Sequence, residues 1–359
     1  MRRCLSIAAM LFGTICLQAR PLPGTLTDQE FWEIVTTLSE AGGKFQAQVM
    51  SNEDSAQFVI PDLKQVVRPG GVYIGVGTEQ NFTYIAAIRP KMAFIVDIRR
   101  DNMLEHLMYK SLFELSADRG DFVSRLFSRK RPVGFSANSS VKALFDAYQT
   151  ADSSLSIYDA NLRAINDNLV NGHKFPLSDA DQASIAAMLN LFRAAGPNNL
   201  TGQGDKNISY ARLMAAMDLN GTSHGYLASE ENFKVVQDLE KRNAVIPLVG
   251  DFAGEKALAG LGRYLKDHDA IVSVFYVSNV ERYLFEQGDH GRQFYANVAS
   301  LPLDSTSPFI RSMTVDISRR LGITIPAVDA EWRSFLVPIN DDLKRFLTGR
   351  ITTYRDLFQ

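Results

Sequence analysis

Two glycines, followed about twenty residues later by an aspartate, have the types and spacing of a nucleotide-binding site. Gly75 and Gly77 come directly after the apolar run 72–74, and Asp97 ends a second apolar run, 92–96. Glycines permit a tight turn and let a ligand approach the backbone closely, and the helix expected between the runs offers N–H groups at its start. Asp97 stands where such folds place the carboxylate that binds the ribose hydroxyls.

The alternative is a plain strand–helix–strand unit whose glycines only form a turn. A Gly-x-Gly pair is a weak signal by itself, and the acid at the expected distance favours the ligand site. The elements that would position these residues are a strand over 72–74, a helix over 80–88 and a strand over 92–96.

Polar residues also end two later strand-like runs. Asp251, just before Phe252, follows the apolar run 245–249, and Asn279 and Glu281 follow the run 270–277. Ligands of parallel sheets bind at the carboxyl ends of the strands, which favours a binding role for Asp251 and makes Asn279 and Glu281 candidates for lining the site. The alternatives are a turn-forming role for Asp251, a common use of aspartate after a strand, and a turn residue and a surface charge for Asn279 and Glu281.

Strands alternating with helices predict an α/β fold with a Rossmann-like, mostly parallel sheet. The strand pattern disappears over 118–243, where amphipathic helical stretches are separated by polar loops. We therefore expect residues 20–117 and 244–359 to form the two halves of one core, and 118–243 to be a helical insertion that caps the ligand site.

Composition argues against several classes of protein. The chain has 359 residues, a net charge of −2 and no long basic run, so nucleic acid is not expected as its partner. The residues at the strand ends favour a small-molecule ligand instead. The five histidines are scattered without metal-ligand spacing, so no metal site is predicted. The oligomeric state is not indicated.

The first nineteen residues have the pattern of a secretory signal peptide. A basic start at Arg2 and Arg3 precedes an apolar stretch over 4–17 and a small residue, Ala19. The apolar stretch is too short for a comfortable permanent membrane span, so export to the periplasm or the medium is predicted, with no stable span after processing. If the start codon is misassigned, a cytoplasmic location follows instead. Both cysteines lie in this segment, so a processed chain contains none.

The order of these motifs resembles that of class I S-adenosylmethionine-dependent methyltransferases. The resemblance covers about half of the chain, and it implies a methyltransferase-type fold with S-adenosylmethionine as cofactor. It implies the following roles: a glycine loop with Gly75, Gly77, Thr78 and Glu79, a ribose acid at Asp97, an adenine site at Asp251 and Phe252, and a catalytic side at Asn279 and Glu281. The phrases YIGVGTEQN, VGDFAG and FYVSNVE also resemble an uncharacterised bacterial family with this core.

The chain departs from the methyltransferase loop pattern, acid-x-Gly-x-Gly-x-Gly, at two positions. Tyr73 occupies the place of the acid and Glu79 the place of the third glycine. Glu79 is expected either to receive the ligand's ammonium group in place of the missing acid or simply to cap its helix.

The resemblance implies an S-adenosylmethionine-binding, methyltransferase-like protein of unknown acceptor. Export conflicts with this function because S-adenosylmethionine is made and used in the cytosol. The alternative is therefore an exported, non-catalytic ligand-binding or interaction protein on a degenerate methyltransferase fold. A dinucleotide-dependent oxidoreductase is a third possibility, although Gln80 stands where the NAD fingerprint has its third glycine.

Overall fold

The computed structural model describes residues 20–46, 49–134, 136–199, 208–325 and 330–359. The predicted signal peptide, residues 1–19, lies outside the described residues. Within the described part of the chain, no helix is both long enough and apolar enough to cross a membrane.

The core is an α/β structure built on one six-stranded, mostly parallel sheet, as predicted. Its strands are β1 (Val72–Gly75), β2 (Met92–Asp97), β3 (Val245–Val249), β4 (Val272–Ser278), β5 (Pro308–Thr314) and β6 (Trp332–Pro338). The spatial order is β3-β2-β1-β4-β5-β6, and only β6 runs antiparallel to its neighbour. Successive strands are therefore added in one direction from β1 to β3 and in the other from β4 to β6. Open parallel sheets form their ligand crevice at such a switch point, here between β1 and β4.

The central strands are short apolar runs because helices cover both faces of a parallel sheet. Every residue of β1, β2 and β3 is buried. The helices are α1 (Asp28–Leu38), α2 (Ile60–Val66), α3 (Gln80–Ile88), α4 (Arg100–Leu115), α5 (Arg119–Leu126), α6 (Val141–Gln149), α7 (Leu155–Asn166), α8 (Asp179–Asn199), α9 (Tyr210–Met214), α10 (Glu230–Lys241), α11 (Ala257–Asp267), α12 (Val280–Phe285), α13 (His290–Ala299), α14 (Val315–Leu321) and α15 (Ile339–Leu347). Short 3-10 helices cover Ala56–Val59 and Tyr354–Phe358, and a π-helical turn covers Asp167–Gly172.

The segment predicted as a helical insertion connects β2 to β3 and, in its described residues, adds no strand to the sheet. Its helices α5 to α10 pack on α4 and on one another. A bidentate ion pair joins it to the core, because Arg100 at the start of α4 donates to both carboxylate oxygens of Asp181 in α8, at 2.8 and 2.9 Å.

The edge strand β6 was not predicted from the sequence. It pairs with β5 along its full length, from Pro308 opposite Pro338 to Thr314 opposite Trp332. Most of its residues are only partly buried, so it lacks the continuous apolar run that marks the central strands.

A buried charge cluster joins β5 to the helices α12, α13 and α15. The guanidinium of Arg311 donates from Nη2 to Glu281 Oε1 at 2.8 Å and to the Tyr295 hydroxyl at 2.9 Å, and its Nη1 lies 2.6 Å from Asp342 Oδ2. All four side chains are buried. A guanidinium between two carboxylates balances charge that would otherwise be costly in the interior.

Replacing Arg311 with methionine should therefore lower the free energy of unfolding by about 3–5 kcal/mol, because two buried carboxylates lose their counter-ion. The measurement is urea denaturation at pH 7. The matched control is Arg319→Met, which breaks an exposed pair with Asp316 and should change stability by less than about 1 kcal/mol. Equal losses in the two variants would show that the cluster is not a main support of this edge.

Candidate functional site

A cleft of about 280 Å³ lies at the carboxyl ends of the parallel strands. It brings together residues that are far apart in the chain and that the sequence singled out at four strand ends. These are Gly77 and Thr78 after β1, Asp97 at the end of β2, Asp251 and Phe252 after β3, and Asn279 after β4. Three of the predicted site residues, Gly75, Glu79 and Glu281, do not line this cleft.

The two glycines of the turn after β1 have different physical roles. Gly77 has a φ of +78°, and a Cβ placed on it would meet no atom within 4 Å, so its backbone is exposed to the cleft. Gly75 is enclosed by protein instead, and a Cβ there would lie 1.9 Å from Asn81 Oδ1. Gly77 therefore matches the expected close approach of a ligand, whereas Gly75 is required by packing.

Asn81 holds the glycine turn from below and was missed by the sequence interpretation. Its Nδ2 lies 3.0, 3.3 and 2.7 Å from the carbonyl oxygens of Val76, Gly77 and Thr78, and the Tyr73 hydroxyl donates to its Oδ1 at 2.9 Å. One buried amide therefore contacts all three carbonyl groups of the tight turn, of which the Thr78 carbonyl also accepts from the backbone N–H of Asn81 at 3.4 Å. Tyr73, which stands where the methyltransferase pattern has an acid, serves to orient this amide.

His106 of α4 supports the same turn from a second direction. Its Nε2 lies 2.8 Å from the Gly77 carbonyl oxygen, which can only accept, so Nε2 carries the proton. Burial lowers the pKa of His106 to about 4, which keeps the ring neutral at physiological pH. The carbonyl of Gly77 is therefore fixed by two side chains, and the turn has its shape before any ligand binds.

Asp97 reaches the cleft, but its carboxylate already has a protein partner. Oδ1 accepts from the backbone N–H of Arg99 at 2.8 Å and from Arg99 Nε at 3.2 Å. Nη2 of the same guanidinium lies 3.4 Å from Oδ2. A carboxylate has about four lone-pair sites, so ribose hydroxyls can share it with Arg99.

Asp251 and Phe252 line the cleft directly after β3, the strand that neighbours β2 and Asp97. Asp251 Oδ1 accepts from the backbone N–H of Ala253 at 2.9 Å, so the turn-forming role coexists with a place in the cleft lining. The ring of Phe252 packs edge-on against Phe275 at 5.1 Å and stacks with Phe294 at 5.7 Å. Phe252 thus offers the cleft a largely buried apolar wall.

The start of α3 contributes a polar group that the sequence did not point out as a binding residue. Gln80 lines the cleft and is 4% exposed, and its buried Nε2 has no hydrogen-bond partner within 3.5 Å among the described residues, although the side chain interacts with the Tyr84 hydroxyl. A buried donor without a partner costs free energy unless a ligand satisfies it. The side chain lies beside Thr78 at a helix N-terminus, where the macrodipole favours negative charge.

The Glu79 side chain neither lines the cleft, where it could meet a ligand ammonium group, nor forms a side-chain cap bond to α3. Its carboxylate is fully buried and accepts from the backbone N–H of Ser51, at 3.0 Å to Oε1 and 3.1 Å to Oε2, and it makes no side-chain cap bond to its own helix. Burial raises the pKa of Glu79 to about 7, against the lowering effect of the Ser51 hydrogen bond. Glu79 therefore anchors another segment of the chain.

That segment forms the cover of the cleft, a place that the sequence interpretation assigned to the helical insertion. Residues on both sides of 47–48, among them Lys44, Phe45 and Glu53, line the cleft, whereas no described residue of 118–243 does. The expectation that the insertion closes over the cleft is thus not met by its described residues. A loop without periodic pattern carries no sequence signal for such a role.

Glu281 lies in the buried cluster with Arg311, where Nε of the guanidinium also donates to its Oε2. It is 1% exposed and its Oε1 accepts from the Tyr295 hydroxyl at 2.7 Å. Asn279, by contrast, lines the cleft at the start of α12 without a side-chain cap bond. Of the two residues assigned to the catalytic side, only Asn279 is placed where a ligand can touch it.

Substitution by alanine should destabilise the protein more at Gly75 than at Gly77. Gly75→Ala forces Asn81 out of its position and should lower the free energy of unfolding by about 2–4 kcal/mol, as expected for overpacking with loss of a buried network. Gly77→Ala only places a side chain at positive φ and should lose about 1–2 kcal/mol. Thermal and urea unfolding of both variants measure this difference, and a larger loss for Gly77→Ala would contradict the assignment.

Glu79→Gln should change how stability depends on pH. The pKa of Glu79 is raised to about 7 in the folded chain, so its contribution to stability is present below the unfolded pKa and is lost as the pH rises through 7. The variant should become more stable relative to the parent protein by at least about 1 kcal/mol between pH 5 and pH 8.5, as judged by urea denaturation. Glu286→Gln, at an exposed glutamate, is the control. A pH-independent difference for Glu79→Gln would contradict the buried anchor.

Comparison with known proteins identifies the family of the chain but assigns it no activity. A search of curated proteins found no match to the chain. Residues 48–355, which include the whole sheet and every cleft residue discussed above except Lys44 and Phe45, match the family described as "Domain of unknown function (DUF7790)". The match covers far more than half of the sequence, and the chain therefore belongs to this family.

Proposed function

We propose that the cleft binds S-adenosylmethionine and that the protein is methyltransferase-like. The observation that carries the proposal is the convergence of four strand ends, from β3 through β2 and β1 to β4, on one cleft. Acidic groups stand at the ends of β2 and β3, and a glycine turn stands after β1. The resemblance of the sequence to class I methyltransferases implies the same order of contacts.

Each part of such a ligand has a matching group on the chain. Asp97 would accept hydrogen bonds from the ribose hydroxyls, and Asp251 with Phe252 would border the adenine. Gly77 would allow the amino-acid end to lie against the backbone, where Gln80 Nε2 would donate to its carboxylate. When bound, S-adenosylmethionine supplies an electrophilic methyl group, and the residues of the chain hold it in line with an acceptor.

The size of the cleft favours a single nucleoside over a dinucleotide. Its volume of about 280 Å³ is just below the range of roughly 300–1,000 Å³ that ligand pockets span. The oxidoreductase alternative requires room for two nucleotides. A non-catalytic nucleoside-binding protein is a second candidate, because Glu281 is held in a buried ion cluster and is not a free base.

Asp97→Ala should weaken the binding of S-adenosylhomocysteine to the 20–359 protein by at least about tenfold, because hydrogen bonds to a carboxylate are each worth about 1.5–3 kcal/mol. Isothermal titration calorimetry measures the affinity. The control is Asp101→Ala, which removes an exposed acid from the first turn of α4 and should leave the affinity unchanged.

The cofactor class is tested with the same protein by thermal unfolding. S-adenosylhomocysteine should raise the melting temperature more than NAD does, because a ligand that binds only the folded state stabilises it. A shift with NAD alone would favour the oxidoreductase, and no shift with either would contradict nucleoside binding in this cleft. Binding without methyl transfer to any acceptor would favour the non-catalytic candidate.

A further inference from the structure

The end of the cleft over β4 and β5 contains a buried carboxylate. Glu53 lines the cleft and is 3% exposed. The hydroxyl of Ser278 donates to its Oε1, and the hydroxyl of Ser312 donates to its Oε2 at 2.5 Å. Within the described chain, Glu53 forms no ion pair with a lysine, arginine or histidine. A buried carboxylate without a counter-ion is costly, and hydroxyl partners offset only part of that cost.

Aromatic side chains surround the same end of the cleft. Phe45, Tyr276, Tyr283 and Trp332 line it, and the edge of the Phe45 ring meets Tyr283 with 4.9 Å between centroids. Aromatic faces attract cations, most strongly when the cation is withdrawn from water. A carboxylate among aromatic rings is therefore complementary to an organic cation.

This end of the cleft is separate from the part assigned to the nucleoside. Asp97 belongs to β2, whereas Glu53 contacts Ser278 at the end of β4 and Ser312 in β5. In the order β2-β1-β4-β5 these contacts lie two and three strands away from Asp97. At about 4.8 Å per strand, the separation is roughly 10–14 Å. A ligand that reaches from Asp251 to Gly77 would thus leave the end of the cleft around Glu53 free for a second molecule.

We propose that the end of the cleft over β4 and β5 is a subsite for an amine-bearing second substrate, whose protonated nitrogen pairs with the Glu53 carboxylate. The inference deepens the proposed function and rests on it, because it names the chemical class of the methyl acceptor: a molecule held by an ammonium group. A protonated nitrogen has no lone pair, so this group anchors the substrate and a different atom receives the methyl group. Burial raises the pKa of Glu53 in the protein alone, and a bound cation would favour its ionised form.

Trp332 provides a direct reporter of this subsite. The chain has two tryptophans, and the other, Trp32, stacks on Phe175 outside the cleft. In a Trp32→Phe background, n-butylammonium at pH 8, without cofactor, should change the Trp332 fluorescence in a saturable way. Glu53→Gln should weaken this binding at least about tenfold, as expected for loss of one partner of a buried charge pair. The uncharged n-butanol should bind weakly and equally to both.

The matched control is Asp289→Asn, which removes one negative charge from an exposed residue outside the cleft and should leave n-butylammonium affinity unchanged. If Glu53→Gln does not fold, Tyr283→Leu tests the aromatic wall and should weaken tetramethylammonium binding by at least about threefold. Equal amine affinity in the parent and Glu53→Gln proteins, or in the parent and Tyr283→Leu proteins, overturns the proposal.

S-adenosylmethionine is itself a cation, so a separate titration tests whether the cation bound at Glu53 comes from the acceptor or from the cofactor. Its affinity should stay within about twofold in Glu53→Gln, and n-butylammonium should not compete with it. Competition, with weaker S-adenosylmethionine binding in the variant, would overturn the amine-acceptor subsite while leaving the proposed function intact. Amine binding that depends on Glu53, in a protein that binds no S-adenosyl compound, would support the subsite and overturn the proposed function.

Discussion

The turn after β1 depends on one buried amide, that of Asn81. It contacts three consecutive carbonyl oxygens of the turn and is itself oriented by the Tyr73 hydroxyl. The fit is possible only because Gly75 has no side chain. The Gly77 carbonyl is held from the other side by His106. A turn so constrained needs little reordering on binding, so less free energy is lost when a ligand is taken up.

Glutamates connect the cover of the cleft to this framework. Glu79 holds the backbone of Ser51, Glu53 holds hydroxyls of β4 and β5, and Glu40 accepts from the backbone N–H of Asp251 at 3.0 Å. Each bond joins the segment before α2 to a different strand, or to the loop that follows it, at the carboxyl ends of the sheet. The cleft is therefore formed jointly by the strand ends below and by a loop that precedes β1 in the chain.

The sequence predicted the sheet and much of the cleft because both follow from local patterns. Apolar runs followed by glycine, an acid or another polar residue identified the carboxyl ends of β1 to β4, and the order of a parallel sheet places such ends together. The edge strand β6 was missed because it is only half-buried and has no continuous apolar run. Glu53, Asn81 and His106 were missed because their roles depend on tertiary contacts. Glu281 looked like a strand-end polar residue, and its partner Arg311 lies thirty positions later.

We propose that the four strand ends form a site for an S-adenosyl ligand. The most direct measurement is a crystal structure of the 20–359 protein grown with S-adenosylhomocysteine. We expect the ribose against Asp97, the adenine between Asp251 and Phe252, and the amino-acid end at Gly77 and Gln80. Ligand at the opposite edge of the sheet, or a cleft that stays empty at saturating ligand, would contradict it.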